Sequence, residues 1–372
     1  MFQNLVVIII ITIEPVNLAV PPNNVLSKEF IEKINKMNSS WRAGKTISED
    51  TLNQILEGLS GNQVEPVELE VMSTLNHRTK FFQDIPDSFD ARENWPQCKD
   101  IIGTITAQGL CSSCWAHASA RVISDRICIE SKGTTKVNIS VEDLVTCCKT
   151  CTSTNGCQSG KIDKAIEYWV SKGVVTGGLQ DTNIGCKPIT SINTRTAPPC
   201  KQTCTNSNYQ IHYNNDKHFG KSSYRVDSKD IVQMQIEIMM HGPVVSNFDV
   251  MGDFMTYQEG VYRHLLGNFI GVHTFRILGW GVENGTNYWL AANSWGPTFG
   301  KLGGFVKILR GVNHLNIEST VLTGRVSAKL NAREILITPD NGTMFPRTTD
   351  GCRRNSGFLL INFVVFTMMS FA

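Results

Sequence analysis

The sequence predicts an α+β fold, a helical half followed by a β half with a cleft between them, and three observations carry that expectation. Apolar residues recur at helical spacing from the N-terminal region to about residue 180. Beyond residue 241 the chain turns to β-rich runs, VHTFRILGWGV and NYWLAANSW, joined by Glu283-Asn284-Gly285-Thr286, whose Asn-Gly step is a strong hairpin signal. Eleven of the 12 cysteines fall between Cys98 and Cys204, a density that points to disulfides outside the cytosol or to a metal cluster inside it. The 372 residues are 41% apolar and 18% charged, with a net charge of +2. That composition builds a core and lacks the charge bias of a nucleic-acid or membrane-surface binder.

Taken in order, residues 5–13 read LVVIIIITI and the small residue Ala19 follows, the pattern of a secretory signal peptide over residues 1–20 without the usual basic start. Export makes disulfides the default for the cysteines. Residues 21–84 contain no cysteine and read helical, with one stripe at Ile31, Ile34 and Met37 and a second at Leu52, Ile55, Leu56 and Leu59, the second weakened by Gly58. A segment this small needs a partner surface, so it is expected to dock on the rest. Past Ile85-Pro86 come a helix from near Cys114 to Ile129, another behind the capping pattern Ser140-x-x-Asp143, and a third carrying Ile162, Ala165, Ile166, Trp169 and Val170 and stopped at Gly173. Residues 181–225 are polar and turn-rich, and a helix over about 229–241 ends at Gly242-Pro243. A polar stretch over 329–356 precedes an uncharged 16-residue tail over 357–372, shorter than the ~20 residues of a membrane span. With small residues at Thr348, Thr349, Asp350 and Gly351 upstream, the tail has the pattern of a lipid-anchor attachment signal.

The run Gln108-Gly-Leu-Cys111-Ser-Ser-Cys114-Trp115-Ala116 carries the most chemistry. A cysteine in the first turn of a helix has its thiolate stabilised by the positive helix end and its free N–H groups, and the thiolate is the nucleophilic form. Cys114 fits that position, while Cys111 and Cys114 as a C-x-x-C redox or metal pair remains the alternative. A nucleophilic cysteine needs a base and a group that orients the base. His273 lies before the Asn-Gly turn and Asn293 after it, close to opposite one another in a hairpin register. An Asn carboxamide there would fix the imidazole tautomer and leave the other ring nitrogen for a thiolate, with Trp295 shielding the bond from water.

These motifs are similar to those of papain-family cysteine proteases: Gln-Gly-x-Cys-x-Ser-Cys-Trp-Ala, His-x-x-Arg-Ile-Leu-Gly-Trp-Gly-Val-Glu-Asn-Gly-Thr and Asn-Ser-Trp. Within the family the chain most resembles the cathepsin B group, through Ser-Phe-Asp-Ala-Arg (88–92), Trp-Pro-Gln-Cys (95–98), Ser-Asp-Arg-Ile-Cys (124–128) and Lys-Ile-Leu-Arg-Gly (307–311). The likeness runs from about residue 85 to 326 and more weakly through Met37-Asn38-Ser39-Ser40-Trp41-Arg42-Ala43-Gly44. It implies a papain-like two-lobed domain over 85–328, with a helical lobe at about 95–200 and a β lobe at about 205–325, preceded by an inhibitory propeptide over 21–84. It implies Cys114 as nucleophile, His273 as base, Asn293 as orienter, and Gln108 with the Cys114 N–H as oxyanion hole. It further implies five disulfides, Cys98–Cys128, Cys111–Cys157, Cys147–Cys200, Cys148–Cys151 and Cys186–Cys204, which leave Cys114 outside them and Cys352 over. The expected partners are protein and peptide substrates, the chain's own propeptide and cystatin-like inhibitors, with no nucleic acid, cofactor or metal. The expected location is the secretory pathway, lysosomal or extracellular, with the tail attaching the protein to a membrane.

The sequence also departs from the family pattern. Between Cys186 and Cys200 it has only Lys-Pro-Ile-Thr-Ser-Ile-Asn-Thr-Arg-Thr-Ala-Pro-Pro, without the two histidines and extra disulfide of the cathepsin B occluding loop. Such a segment is expected neither to block the primed cleft nor to offer a cation to a substrate carboxylate, which implies endopeptidase rather than dipeptidyl carboxypeptidase action. Thr320 stands where the second specificity pocket has its acid, and Thr274, Gly160 (in Ser159-Gly160) and Trp295 complete the expected substrate contacts. Ser112 and His117 replace Gly and Phe, and Phe299 replaces a Trp. His212, His218, His241, His264 and His314 read as structural or surface residues. Asn38, Asn138, Asn284 and Asn341 stand in glycosylation sequons, Asn284 in the hairpin turn. These altered subsites leave a second reading, a catalytically weak homologue that binds peptides or inhibitors. The retained Cys114, His273, Asn293 and Gln108 favour the enzyme.

Overall fold

A computed structural model describes residues 24–60, 72–75, 85–180, 182–190, 193–227 and 230–327. The expected signal segment, the tail, Asn341 and Cys352 lie outside the described residues.

The N-terminal segment forms α1 (Lys28–Lys36), the short strand β1 (Trp41–Ala43) and α2 (Glu49–Ser60), followed by β2 (Thr74–Leu75). Ser27 caps α1 by accepting from the Phe30 N–H. The stripe of α1 is Phe30 and Ile34, with Ile31 half-buried. Met37, expected in that stripe, is 41% exposed because the helix ends there and Met37 is its C-cap. Leu52, Ile55 and Leu59 of α2 are buried as the spacing requires. This segment has no core of its own: Val25, Leu26, Phe30, Trp41, Leu52 and Leu59 pack into one cluster with Phe248, Phe254, Tyr257, Tyr262 and Trp295 of the β half.

The helical lobe follows with β3 (Phe89–Asp90), α3 (Ala91–Asn94), α4 (Lys99–Ile102), α5 (Cys114–Glu130), α6 (Val141–Cys147) and α7 (Ile162–Ser171). As its sequence predicts, α6 starts behind Ser140, whose hydroxyl accepts from the Asp143 N–H at 2.9 Å. The β lobe contains β4 (Gly220–Val226), α8 (Ile231–His241), β5 (Val244–Met251), β6 (Tyr257–Tyr262), β7 (Phe269–Glu283), β8 (Thr286–Ala292), β9 (Phe305–Leu309) and β10 (Val321–Val326). The strands join in the order β1-β6-β9-β8-β7-β5-β10-β4-β2, with β3 beside β7. Four strands run against the sequence reading. β1, β2 and β3 lie in stretches read as helical, and β4 occupies the end of the stretch read as turns. They are short or half-buried pieces whose residues bond to distant strands rather than to their neighbours, so no local period announces them.

Helix α5 positions everything else. Its residues from Cys114 to Cys128 are all buried, since the helix runs between the lobes and packs on α6, α7, β7 and β10. Its buried charges are paired across that boundary. Asp125 accepts from Arg276 of β7 at 2.7 Å, and Arg126 donates to Glu237 of α8 at 2.8 Å and to the carbonyls of Pro243, Gly242 and Gly324. Removing one partner of such a pair strands the other charge in a dry interior. Arg126→Ala should therefore destabilise the folded chain by about 3–5 kcal/mol, read by urea unfolding with disulfides intact. A loss below about 1 kcal/mol would show that the pair does not hold the lobes together.

Candidate active site

Cys114 is the first residue of α5 and is buried. The N-cap Ser113 makes no side-chain capping bond and the first turn holds no acidic residue. Neither the N-cap side chain nor the first turn of this 17-residue helix offsets its positive end, and an anion on Cys114 Sγ would sit in that field. The C-x-x-C alternative falls, because Cys111 is bonded to Cys157. The structure also pairs Cys98 with Cys128, Cys147 with Cys200, Cys148 with Cys151 and Cys186 with Cys204. Among the described residues Cys114 alone is outside a disulfide.

His273 on β7 and Asn293, just past β8, are brought together with Nε2 and Oδ1 2.8 Å apart. They are not opposite in the hairpin, as the spacing had suggested. Arg276 faces Ala292, and a bulge between Ile277 and Gly279 shifts the register, which leaves His273 and Asn293 two positions apart on a diagonal still within reach of long side chains. The same Asn293 oxygen accepts from the Ser294 N–H at 2.7 Å, so the amide orientation is fixed by a group that can only donate. Nε2 of His273 therefore carries the proton and Nδ1 the lone pair. Nδ1 is buried with no hydrogen-bond partner among the described residues. The Trp295 ring lies beside the imidazole, centroid to centroid 4.4 Å.

Gln108 sits in the loop before α5 and is locked to the segment after β8. Its N–H donates to the Ser294 carbonyl at 2.8 Å, Ala107 bridges Trp295, and the Ser294 hydroxyl donates to Gln108 Oε1 at 2.8 Å. With the oxygen engaged, the amide Nε2 is the end left to donate. Gly160 lies against the Trp115 indole, where a Cβ would come within 2.2 Å of the ring, so this backbone approach requires glycine. Thr274 donates to Asn247 Oδ1 at 3.0 Å, and Thr320 precedes Val321, which faces Ser246, the residue before Asn247. Glu318 is removed from that neighbourhood by its own bonds, accepting from the Trp289 indole and from the Gly311 and Asn313 N–H groups at 2.6–2.7 Å. Among the sequons, Asn284 and Asn38 are exposed, while half-buried Asn138 has its side-chain oxygen held by Arg121. No group of three His, Cys, Asp or Glu side chains comes together as metal ligands among the described residues.

Helix α2 lies across this site. Ser112 Oγ donates to the Gly58 carbonyl, a Cβ on Gly58 would sit 3.5 Å from Gln108 Nε2, and Leu59 presses on Gly271 of β7. Gly58, which weakens the helical reading, is thus the point of close approach. Arg195 of the short 187–199 segment forms an ion pair with Glu57. The segment lacks histidine but carries a guanidinium, and the carboxylate it meets is on a distant part of the chain itself. Ser112 was marked only as a departure from the family pattern, and Ser294 and Arg195 were not legible as site residues, because a lone Ser or Arg in a polar loop carries no signal until its partner is known.

Residues 85–325 match the papain family of cysteine proteases. The chain is 40% identical over 341 residues to the cathepsin B-like cysteine proteinase 3 of Caenorhabditis elegans, covering 89% of each. It is 39% identical to a cathepsin B-like cysteine proteinase of Schistosoma japonicum, over 81% of this chain and 91% of that protein. The structure superposes on procathepsin B from Trypanosoma congolense with a TM-score of 0.71 and 31% identity, over 82% of this chain and 99% of that one.

Burial sets the titration of the histidines. It holds His117 and His273 down to about 3, with the Asn293 bond offsetting part of the effect on His273, and holds His314 down to about 4. The unfolded chain takes up these protons near the ordinary value of about 6.5 and the folded chain does not. Their contribution to stability is therefore full above about pH 6.5 and is lost progressively as the pH falls toward 4. Asp125, raised by burial, works in the opposite direction. In the chain blocked by Cys114→Ser, the urea midpoint should fall between pH 7 and pH 4, and fall less in the double variant with His117→Phe. Equal slopes in both proteins would show that His117 ionises freely in the fold.

Proposed function

The chain belongs to the papain family of cysteine proteases, and on that premise we propose that this cathepsin B-like zymogen becomes an endopeptidase that hydrolyses peptide bonds by Cys114–His273–Asn293 catalysis. The observation that carries the reading is the fixed tautomer of His273. With Nε2–H donated to Asn293, the ring presents Nδ1 as the base, and the unneutralised start of α5 favours a thiolate on Cys114. Transfer of the thiol proton to Nδ1 yields the thiolate–imidazolium pair. The thiolate attacks the peptide carbonyl carbon, and the oxygen, now negative, is received by Gln108 Nε2 and the Cys114 N–H. The imidazolium returns its proton to the leaving amine, and water, deprotonated by the same imidazole, hydrolyses the thioester.

Endopeptidase action is supported by the shortness of the 187–199 segment, which holds neither a histidine nor a cysteine, and Thr320 with Glu318 bonded elsewhere supports an apolar second pocket. The propeptide inhibits by occupying the cleft at Gly58. Passage through the secretory pathway, with residues 357–372 replaced by a lipid anchor, belongs to the same reading. An intact peptide ending at Ala372 in secreted material would exclude a lipid anchor.

After processing, a thiol-directed epoxide should label Cys114, Cys114→Ser should abolish turnover, and kcat/KM should trace a bell against pH as the coupled pair titrates. Folded, processed protein that neither labels nor cleaves would favour the peptide-binding reading. Internally quenched peptides with blocked C-termini should be cleaved at least as well as those with free carboxylates, and apolar residues should be preferred over Arg in the second pocket. Dominant release of C-terminal dipeptides would overturn the endopeptidase assignment.

A further inference from the structure

We propose that Ser112 and Arg195 form a two-point peptide site in the cleft, a hydroxyl for a backbone carbonyl and a guanidinium for the carboxylate on the adjacent residue. The propeptide fills it in the zymogen, and the mature enzyme uses it to favour substrates with Glu or Asp beside the scissile bond. The inference rests on the protease reading above.

The zymogen displays the ligand chemistry directly. The Gly58 carbonyl takes the Ser112 hydroxyl proton, and the carboxylate of the preceding residue, Glu57, meets Arg195. The Gly58 Cβ position lies 3.5 Å from Gln108 Nε2 and 3.8 Å from Ser112 Oγ, so the bound backbone lies over the group that serves the oxyanion. Ser112 stands on braced backbone, and the chain near Arg195 is tied at Ala197. Ser112 is 3% exposed, its N–H donates to the Cys157 carbonyl at 2.9 Å, and its neighbour Cys111 is bonded to Cys157. Arg195 lies between Thr190, held by Glu142, and Ala197, whose N–H donates to Asn155 at 2.7 Å, with the Cys147–Cys200 disulfide beyond.

When α2 leaves, hydroxyl and guanidinium lose these partners together. A substrate that offers a carbonyl and a neighbouring carboxylate restores both bonds. The ion pair is the weaker half. Its side chains are 64% and 43% exposed, so solvent and salt screen it, and an exposed pair of this kind shifts an equilibrium by about 1.4- to 5-fold.

The test uses the full chain after processing and pairs of internally quenched, C-terminally amidated peptides that differ only by Glu or Gln at one of the positions flanking the scissile bond. The readout is the Glu/Gln ratio of kcat/KM within each protein. At one position the wild-type ratio should be about 2–5 at low ionic strength, and it should fall to about 1 in Arg195→Gln and in about 1 M salt. Ser112→Ala should lower kcat/KM for both members several-fold and leave their ratio unchanged. A wild-type ratio of 1 at every position, or a preference that survives Arg195→Gln, overturns the carboxylate half. Unchanged kcat/KM in Ser112→Ala overturns the carbonyl half. An acid preference that appears only with free C-terminal carboxylates assigns Arg195 to chain ends and overturns the side-chain reading. Cleavage without any acid preference removes this inference alone, whereas absence of both cleavage and Cys114 labelling removes the protease reading beneath it.

Discussion

The buried position of α5 between two lobes is the constraint on which the rest depends. A helix with every face covered cannot adjust to its neighbours by rotating toward solvent, so the charges on it must find partners in the other lobe. Asp125 with Arg276 and Arg126 with Glu237 do this, and Arg276 lies three residues from His273 on the same strand. The ion pair that satisfies α5 therefore also sets where the imidazole strand stands relative to the helix that begins with Cys114. Chemistry at the start of the helix and cohesion in its middle are one arrangement.

The same economy holds for the N-terminal segment. Trp41 pairs with Gly260, donates its indole N–H to the Arg263 carbonyl and packs edge-on against Tyr262, while Asn35 ties α1 to Ala43 through both atoms of its amide. Docking is thus held largely by aromatic burial and backbone pairing on the β half. The contacts of α2 over Gln108 and Ser112 are few and partly polar by comparison. Inhibition by position needs no tight grip on the catalytic groups themselves, only a firm hold elsewhere.

Much of this was legible in the sequence because it rests on local pattern. The helix at Cys114, the Ser140 cap and the Asn284-Gly285 turn, where both residues have positive φ, follow from residues adjacent in the chain. The His273–Asn293 contact was legible as a pairing but not in its register, since no local pattern announces the register shift between Ile277 and Gly279. Ser112, Ser294, Arg195 and Gly58 were not legible as contacts. Each acts on a partner dozens to hundreds of positions away, and only folding brings the two into one place. The departures from the family pattern at Ser112 and in the 187–199 segment marked where to look without saying what stood there.

The strand order has a consequence for the life of the mature protein. The two outermost strands of the sheet, β1 at one end and β2 at the other, both come from the segment before residue 85. If processing removes that segment whole, it strips both rims of the sheet at once and leaves the N–H and C=O groups of β6 and β4 that faced them open to any extended chain. Gly260, with φ of +87° opposite Trp41, puts a kink in one of these bared rims and makes it a poor template for self-stacking. The other rim, at β4, carries Lys221 and Arg225, and like charges on neighbouring copies keep such edges apart.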